Sequence, residues 1–395
     1  MADRGAQRRM LLLTHSYDPE RTPPARRWEG IVAELTEQGW DVVILAPPAA
    51  GRGTGRSVGL HGETVLSTWR PGRTGAGRNG RFLDAVLHAL QCVPIGLVTR
   101  CPDVFVATVP ALPTVVPGRL LGQLRRRPVV VEMRDAWPDL ARDAGLRTGP
   151  LGKIMERIVG GAQASADLVV TVTEGFAETL RSRGVDPVVT LCNGVRLENV
   201  PLQRPRTRRP GELNVLYLGN HGESQGLERL VQAAAILRES SPGVHVRLVG
   251  EGTRREALVA LNRSLGEPAE LLPAVHGPAV QDHFRWADTV VIPLRPDWSS
   301  FRHTVPSKTY ELLGIGRHVT AQVEGEGAEI VTAAHAGDVV GPTTEDLAVH
   351  LAHLAADPSS TAPDGRARRW VAEHADLAAI GRRYSELLDG LVRRR

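Results

Sequence analysis

Residues Glu198–Asn214 read ENVPLQRPRTRRPGELN, a run with three prolines and four arginines. Proline fixes φ and removes a backbone donor, so the run reads as a linker between structured halves. Before it, short β-branched runs alternate with longer amphipathic stretches. Strands are expected at Arg9–Thr14, Asp41–Ala46, Val104–Thr108, Val129–Met133, Leu168–Val172 and Val188–Leu191, and the first helix near Trp28–Gln38 after a proline-rich loop. After it the alternation restarts, with strands at Val215–Leu218, Val244–Val249, Thr289–Pro293 and His318–Ala321. Helices are expected between these at Leu227–Arg238, Arg254–Leu265 and Ser307–Leu313, and a final basic helical stretch at Arg366–Arg395. This is the pattern of parallel βαβ units, interrupted once. The expected fold is α/β, with two Rossmann-like domains facing each other across a cleft: an N-terminal domain over 1–197, a linker over 198–213 and a second domain over 214–374.

Composition narrows the function. The chain has 395 residues, 42% apolar and 23% charged, enough for sizeable cores without a disulfide or metal staple. Its net charge of +4 is small for this length, which argues against a dedicated nucleic-acid binder. Of 48 basic residues only Lys153 and Lys308 are lysine, as expected from a GC-rich bacterial coding bias, so each lysine draws attention. Cys92, Cys101 and Cys192 are odd in number and far apart, suggesting neither a disulfide framework nor a zinc site. The N-terminal apolar run is too short for a signal peptide, and no stretch approaches the roughly 20 apolar residues of a spanning helix. A cytoplasmic protein is expected. The Gly/Arg-rich segment from Arg73, with the apolar helix that ends near Thr99, reads either as membrane-surface contact or as a core-packed helix, the second being preferred.

Four segments carry candidate chemistry. Gly219-Asn220-His221-Gly222 follows the strand Val215–Leu218, where a glycine turn lets backbone N–H groups approach phosphate oxygens. Val305-Pro306-Ser307-Lys308-Thr309-Tyr310-Glu311 opens a helix, with Pro306 suited to its first turn and Lys308 and Glu311 on one face. A lysine there suits a diphosphate and a carboxylate suits paired ribose hydroxyls; the plain alternative is a helix ion pair. Arg134-Asp135-Ala136-Trp137-Pro138 ends the strand VVVEM, and charge at the carboxyl end of a parallel strand lies where open α/β sheets bind ligands. The first loop, Tyr17–Arg27, ends a strand in the same way and offers Arg26 or Arg27 to a diphosphate or acceptor. His221, His276, His283 and His303 show no metal-ligand spacing, and D-x-D does not occur.

In their order along the chain these stretches resemble a family-4 glycosyltransferase, a retaining nucleotide-sugar enzyme of the GT-B fold. The stretches are CPDVFVATVPALPT, VVVEMRDAWPDL, ASADLVVTVTEGFAETLRSRGV, CNGV, LYLGNHGESQGLERLVQAA, VRLVGEG and VPSKTYELLGIGRHVTA. The R-D-x-W-P loop and S-K-x-x-E helix are most like the fucosamine and colanic-acid transferase branch. The resemblance implies that a C-terminal helix, 375–395, returns to the N-terminal domain. It further implies that Glu311 holds the ribose hydroxyls, that Gly219, Asn220, Gly222 and Gln225 lie under the diphosphate, and that Gly250 and Gly252 lie near the nucleoside. Ser307 and Lys308 join the donor site, and positions Asp297 to Thr304, His303 among them, fall where the donor sugar is recognised. Lys308, Arg134 and Asp135 take the catalytic roles, while Tyr17, Thr22, Pro23, Arg27 and Trp137 form an acceptor or diphosphate loop.

The departures from the family pattern are specific. Its first conserved glutamate falls on His303, its diphosphate-gripping Arg and Lys on Asn220 and Gln225, its N-domain histidine on Arg134, and its glycine-rich first loop on Thr22-Pro23-Pro24. Lys308 must then carry more of the diphosphate charge. The expected partners are a UDP- or GDP-sugar donor and a small-molecule or lipid-linked acceptor, without metal or cofactor and without nucleic acid. A nucleotide-sugar epimerase of the same architecture, or a non-catalytic nucleotide-sugar-binding subunit, is the alternative.

Overall fold

The computed structural model describes residues 8–17, 22–48, 53–69, 78–109, 112–143, 145, 150–204 and 206–394. Positions 18–21 of the first loop, the glycine- and arginine-rich run at 73–77 and Pro205 lie outside them. Two compact units emerge: Met1–Arg196 with Ala375–Arg395 form unit 1, and Leu197–His374 form unit 2.

Unit 1 is an eight-stranded sheet of β1 (Arg9–Leu13), β2 (Asp41–Ala46), β3 (Gly55–Val58), β4 (Thr64–Ser67), β5 (Val104–Val109), β6 (Val129–Met133), β7 (Leu168–Thr171) and β8 (Val188–Thr190). Its order is β3-β4-β2-β1-β5-β6-β7-β8, parallel throughout except for β3 against β4. Central strands such as β5 and β6 are buried at every position, because helices cover both faces of a parallel sheet. One face packs on the helix Pro23–Glu37 and the C-terminal helix Leu377–Arg393; the other packs on helices that include Cys92, Leu121, Val159 and Phe176.

The helix Pro23–Glu37 begins where a proline-rich loop was expected. Thr22 caps it through Oγ1, which accepts from the Ala25 N–H at 3.4 Å, and the two prolines fill the first turn, where a missing N–H costs nothing. The C-terminal stretch is two helices rather than one: Arg366–His374 belongs to unit 2 and Leu377–Arg393 to unit 1. Asp376 caps the second by accepting from Ala378 and Ala379, and Leu377, Ile380, Tyr384 and Leu388 bury one helical stripe. The Tyr384 ring meets Trp28 edge-on at 5.4 Å, and Trp40 Nε1 donates to Ser385 Oγ at 3.0 Å.

Unit 2 carries β9 (Leu213–Leu218), β10 (Val244–Val249), β11 (Ala269–Leu272), β12 (Thr289–Pro293), β13 (His318–Gln322) and β14 (Gly337–Val339). They form one parallel sheet in the order β11-β10-β9-β12-β13-β14. The arginine-rich stretch read as a linker is packed onto this unit. Arg208 donates to Leu354 O at 2.7 Å, Ala355 O at 3.2 Å and Asp357 O at 3.0 Å, satisfying carbonyls at the end of the helix Thr344–Ala356. Arg206 makes a two-pronged contact to the buried Asp288, at 3.2 and 2.9 Å.

Candidate functional site

Strand order in unit 2 reverses between β9 and β12, and open α/β sheets bind ligands at the carboxyl ends of strands at such a switch point. The loops that leave β9 and β12 here are the two that the sequence singled out. Lys308 reaches across: its Nζ donates to Leu218 O, the last residue of β9, at 2.9 Å. Lys308 stands at the N-cap of the helix Thr309–Ile315, so this helix begins two residues later than expected and Pro306 precedes it. Thr309 N donates to Pro306 O at 2.8 Å, a turn that sets the lysine back toward β9. Ser307 and Glu311 flank it on the same segment, and His303 ends the short 3₁₀ helix Ser299–His303.

The glycine loops after β9 and β10 are packed backbone against backbone. A Cβ on Gly250 would lie 1.8 Å from Gly219 O, and one on Gly252 2.4 Å from His221 O, so any side chain there would displace main chain. A Cβ on Gly222 would fall 2.4 Å from Asn220 Nδ2 and 2.9 Å from Gln225 Oε1. The loop amides are largely committed, contrary to the expectation that they face a phosphate: Gly219 N donates to Val249 O at 2.9 Å and His221 N to Glu251 O at 2.8 Å. Gly222 N donates to Gln225 Oε1 at 3.2 Å. Beside Lys308 the loop therefore supplies close main-chain approach more than it supplies donors. Its next helix starts only at Glu228, after a 3₁₀ turn over Glu223–Gln225.

Under the loop lies a residue the sequence reading set aside. His221 is completely buried, and among the described residues neither ring nitrogen has a partner. Burial, and then the nearby Arg255, pull its pKa down to about 4 against the opposing pull of Glu251, so the ring is neutral at pH 7. Arg295 also escaped the sequence reading. It grips Asp297 at 3.0 and 2.6 Å and Glu223 at 2.9 Å, tying the loop after β12 to the loop after β9.

In unit 1 the charges gather at the end of β6. Glu132 is fully buried and is met by Arg27 Nη2 at 3.2 Å and by Thr108 Oγ1 at 3.2 Å. Arg27 also donates to Leu191 O at 3.0 Å and to Cys192 O. Beside them Arg134 Nη2 donates to Asn193 Oδ1 at 3.1 Å, while its Nε and Nη1 are buried without a partner among the described residues. Burial pushes the carboxyl of Asp135 up and Arg134 draws it back down. Arg134, Asp135 and Asn193 thus assemble a charged cluster at the end of β6, Asn193 coming from the CNGV stretch, which carried no assigned role.

The first loop corrects differently. Tyr17 is buried and its hydroxyl donates to Glu63 Oε1 at 2.6 Å; Thr22 and Pro23 start a helix; Arg27 locks Glu132 into the core. Their polar atoms are spent inside unit 1, which makes them support for the site rather than surface for a ligand. Trp137 packs partly buried against the core, just past Asp135. Among the described residues no group of three or more His, Cys, Asp or Glu is placed to hold a metal ion, and no helix is long and apolar enough to cross a membrane.

Two doubly wound units, each with its polar groups at the carboxyl ends of parallel strands, define the GT-B architecture. Residues 24–194 match the glycosyl transferase 4-like domain and residues 212–357 match the glycosyl transferases group 1 domain. The chain is 31% identical to a phosphatidyl-myo-inositol mannosyltransferase of Propionibacterium freudenreichii over 57% of this chain and 57% of that protein, so the match spans little more than half of that relative. Over 96% of this chain and 98% of the other, it is 26% identical to a GDP-mannose-dependent alpha-(1-6)-phosphatidylinositol monomannoside mannosyltransferase of Mycolicibacterium smegmatis. Sucrose-phosphate synthase from Thermosynechococcus elongatus shares the fold, with a TM-score of 0.80 at 16% identity over 98% of this chain and 100% of that one. The two relatives are mannosyltransferases, not members of the fucosamine or colanic-acid branch.

Proposed function

We propose that the chain is a retaining, metal-independent glycosyltransferase that moves a sugar from a UDP- or GDP-sugar to an acceptor in bacterial surface-glycan or natural-product biosynthesis, acting in the cytoplasm. The observation that carries this reading is the Lys308 ammonium, 2.9 Å from the carbonyl that ends β9, at the switch point and beside loops that admit no Cβ. In this reaction the bond from the anomeric carbon to the diphosphate oxygen breaks, and negative charge grows on the leaving diphosphate. A fixed ammonium at that place stabilises the transition state more than the ground state. The acceptor hydroxyl attacks the same face of the sugar, and its proton passes to the departing phosphate oxygen. Glu311 accepts the ribose hydroxyls, Gly219, Asn220, Gly222 and Gln225 border the diphosphate, Gly250 and Gly252 the nucleoside, and Ser307 and His303 the donor sugar. Arg134, with two buried N–H groups lacking partners among the described residues, and Asp135 orient acceptor or sugar from unit 1.

The R-D-x-W-P loop favours the fucosamine and colanic-acid branch, whereas one relative is named for GDP-mannose. Calorimetric titration with UDP and with GDP, in EDTA, separates these donors. Binding of neither nucleotide, or transfer that strictly needs Mg²⁺ or Mn²⁺ for its chemical step, would overturn the proposal. Isomerisation of the donor without transfer would make the chain an epimerase.

A further inference from the structure

Three neighbouring helices of unit 1 present apolar side chains to solvent. In the helix Arg78–Val98, Leu83, Leu90 and Leu97 recur every seven residues on the side away from the buried Cys92, and Leu90 is 66% exposed. In the helix Val115–Arg125, Val116, Leu120 and Leu124 recur every four residues, and Leu124 is 57% exposed. The helix Pro150–Ala164 adds Ile154. All three cover the same sheet face, because Cys92, Leu121 and Val159 meet in one core cluster. They also pack directly: a Cβ on Gly96 would lie 2.6 Å from Leu121, and one on Gly161 3.2 Å from the Arg119 guanidinium. Single exposed apolar residues are ordinary, but two aligned stripes on adjoining helices are a surface with a purpose.

The charge around these stripes is predominantly positive. Arg100, Arg119, Arg126, Lys153 and Arg157 are exposed. The two carboxylates on the three helices are turned away from this role, since Asp84 is buried and Glu156 accepts from Arg142 at 2.9 Å. Trp69, 59% exposed, is held at the edge by its backbone N–H to Gln91 Oε1 at 2.7 Å. Leucine stripes, a basic rim and an exposed tryptophan are the features by which proteins lie on a membrane interface.

We propose that this face docks on the surface of an anionic phospholipid bilayer. Charge complementarity selects that occupant: a second copy would oppose one basic rim to another, whereas anionic headgroups neutralise it. Docking goes beyond sugar transfer and is tested without nucleotide or acceptor, so its failure leaves the catalytic reading standing. The full chain is floated with vesicles of equal parts phosphatidylglycerol and phosphatidylcholine, and with phosphatidylcholine alone. The expected result is at least tenfold stronger binding to the anionic vesicles, with a blue shift of tryptophan emission that weakens in Trp69→Phe. L90E/L120E/L124E should lose about tenfold or more of that binding, and R119E/R126E should lose most of its salt-sensitive part. If the leucine triple variant fails to fold by circular dichroism, R119E/R126E at exposed positions carries the test. Equal binding to both vesicles, or anionic binding unchanged in the folded variants, overturns the proposal. So does a wild-type dimer that the leucine substitutions split and that binds no vesicles, which would make the face an interface between copies.

Discussion

Units 1 and 2 place polar groups at the same edge of the same kind of sheet, yet they fill that edge differently. Unit 1 fills it with charge: Arg27 on Glu132, then Arg134 and Asp135, all beside β6. Unit 2 empties it: four glycines in two interlocked loops, a neutral histidine beneath them and one lysine reaching over β9. A wall of paired charges resists rearrangement and orients small polar groups. Glycine loops that let main chain approach main chain, with a lysine beside them, suit a ligand that brings its own negative charge.

The strongest test of this contrast is in unit 1. Glu132→Ala leaves the Arg27 guanidinium buried and unpaired, which should cost about 3–5 kcal/mol of unfolding free energy. A urea midpoint within error of wild type would show that the charged wall is not structural. Second in size is Lys308→Ala, expected to lower kcat/KM by roughly 100-fold, equivalent to about 2.7 kcal/mol of transition-state stabilisation, with little change in melting temperature. Lys308→Arg should also be impaired, because a planar fork does not replace a compact ammonium. Wild-type turnover in folded Lys308→Ala would reduce the lysine to a strand-end contact.

Gly250→Ala probes the interlocked loops of unit 2. Its methyl group would sit on Gly219 O, so a loss of about 1–3 kcal/mol of stability and weakened nucleotide binding are expected in parallel. Unaltered affinity by calorimetry would show that the interlocked loops are not the nucleotide cradle. Glu311→Gln should weaken nucleoside diphosphate binding by about 1–3 kcal/mol while leaving the fold intact. The smallest effect concerns acid. His221 titrates at about 4 in the folded chain against 6.5 ordinarily, so between those values the unfolded chain binds the proton. Its contribution to stability is therefore complete above about pH 6.5 and falls as pH drops toward 4. His221→Phe should flatten that part of the curve, measured as melting temperature between pH 7 and 5; an unchanged slope would show that the ring is solvated.

The same contrast decides what could be read without a structure. Apolar runs announced the central strands of both sheets, since a strand buried on both faces must be apolar throughout. The missed strands are short or at sheet margins: β3, GRSV, is exposed at all four positions, and β14 is GDV. The switch-point pair of Gly219 and Lys308 was legible, because a glycine turn after a strand and a rare lysine are local signals. That the loop amides bond to Val249 and Glu251, or that Arg27 meets a glutamate 105 residues away, depends on strand order, which no local pattern carries. The arginines around Arg208 misled for the same reason: arginine–proline composition reads as linker until a helix end is found to need caps.

The return of Leu377–Arg393 to unit 1 has a consequence for the order in which the protein can be made. Unit 2 is continuous from Leu197 to His374, so its core is complete once that stretch has left the ribosome. Unit 1 must wait, because Leu377, Ile380, Tyr384 and Leu388 belong to its core cluster and follow unit 2 in the chain. Until they arrive, Trp28, Ile31 and Leu35 lack the helix that covers them. The half translated first is thus the half that finishes folding last, the reverse of the usual N-to-C sequence of domain folding during synthesis.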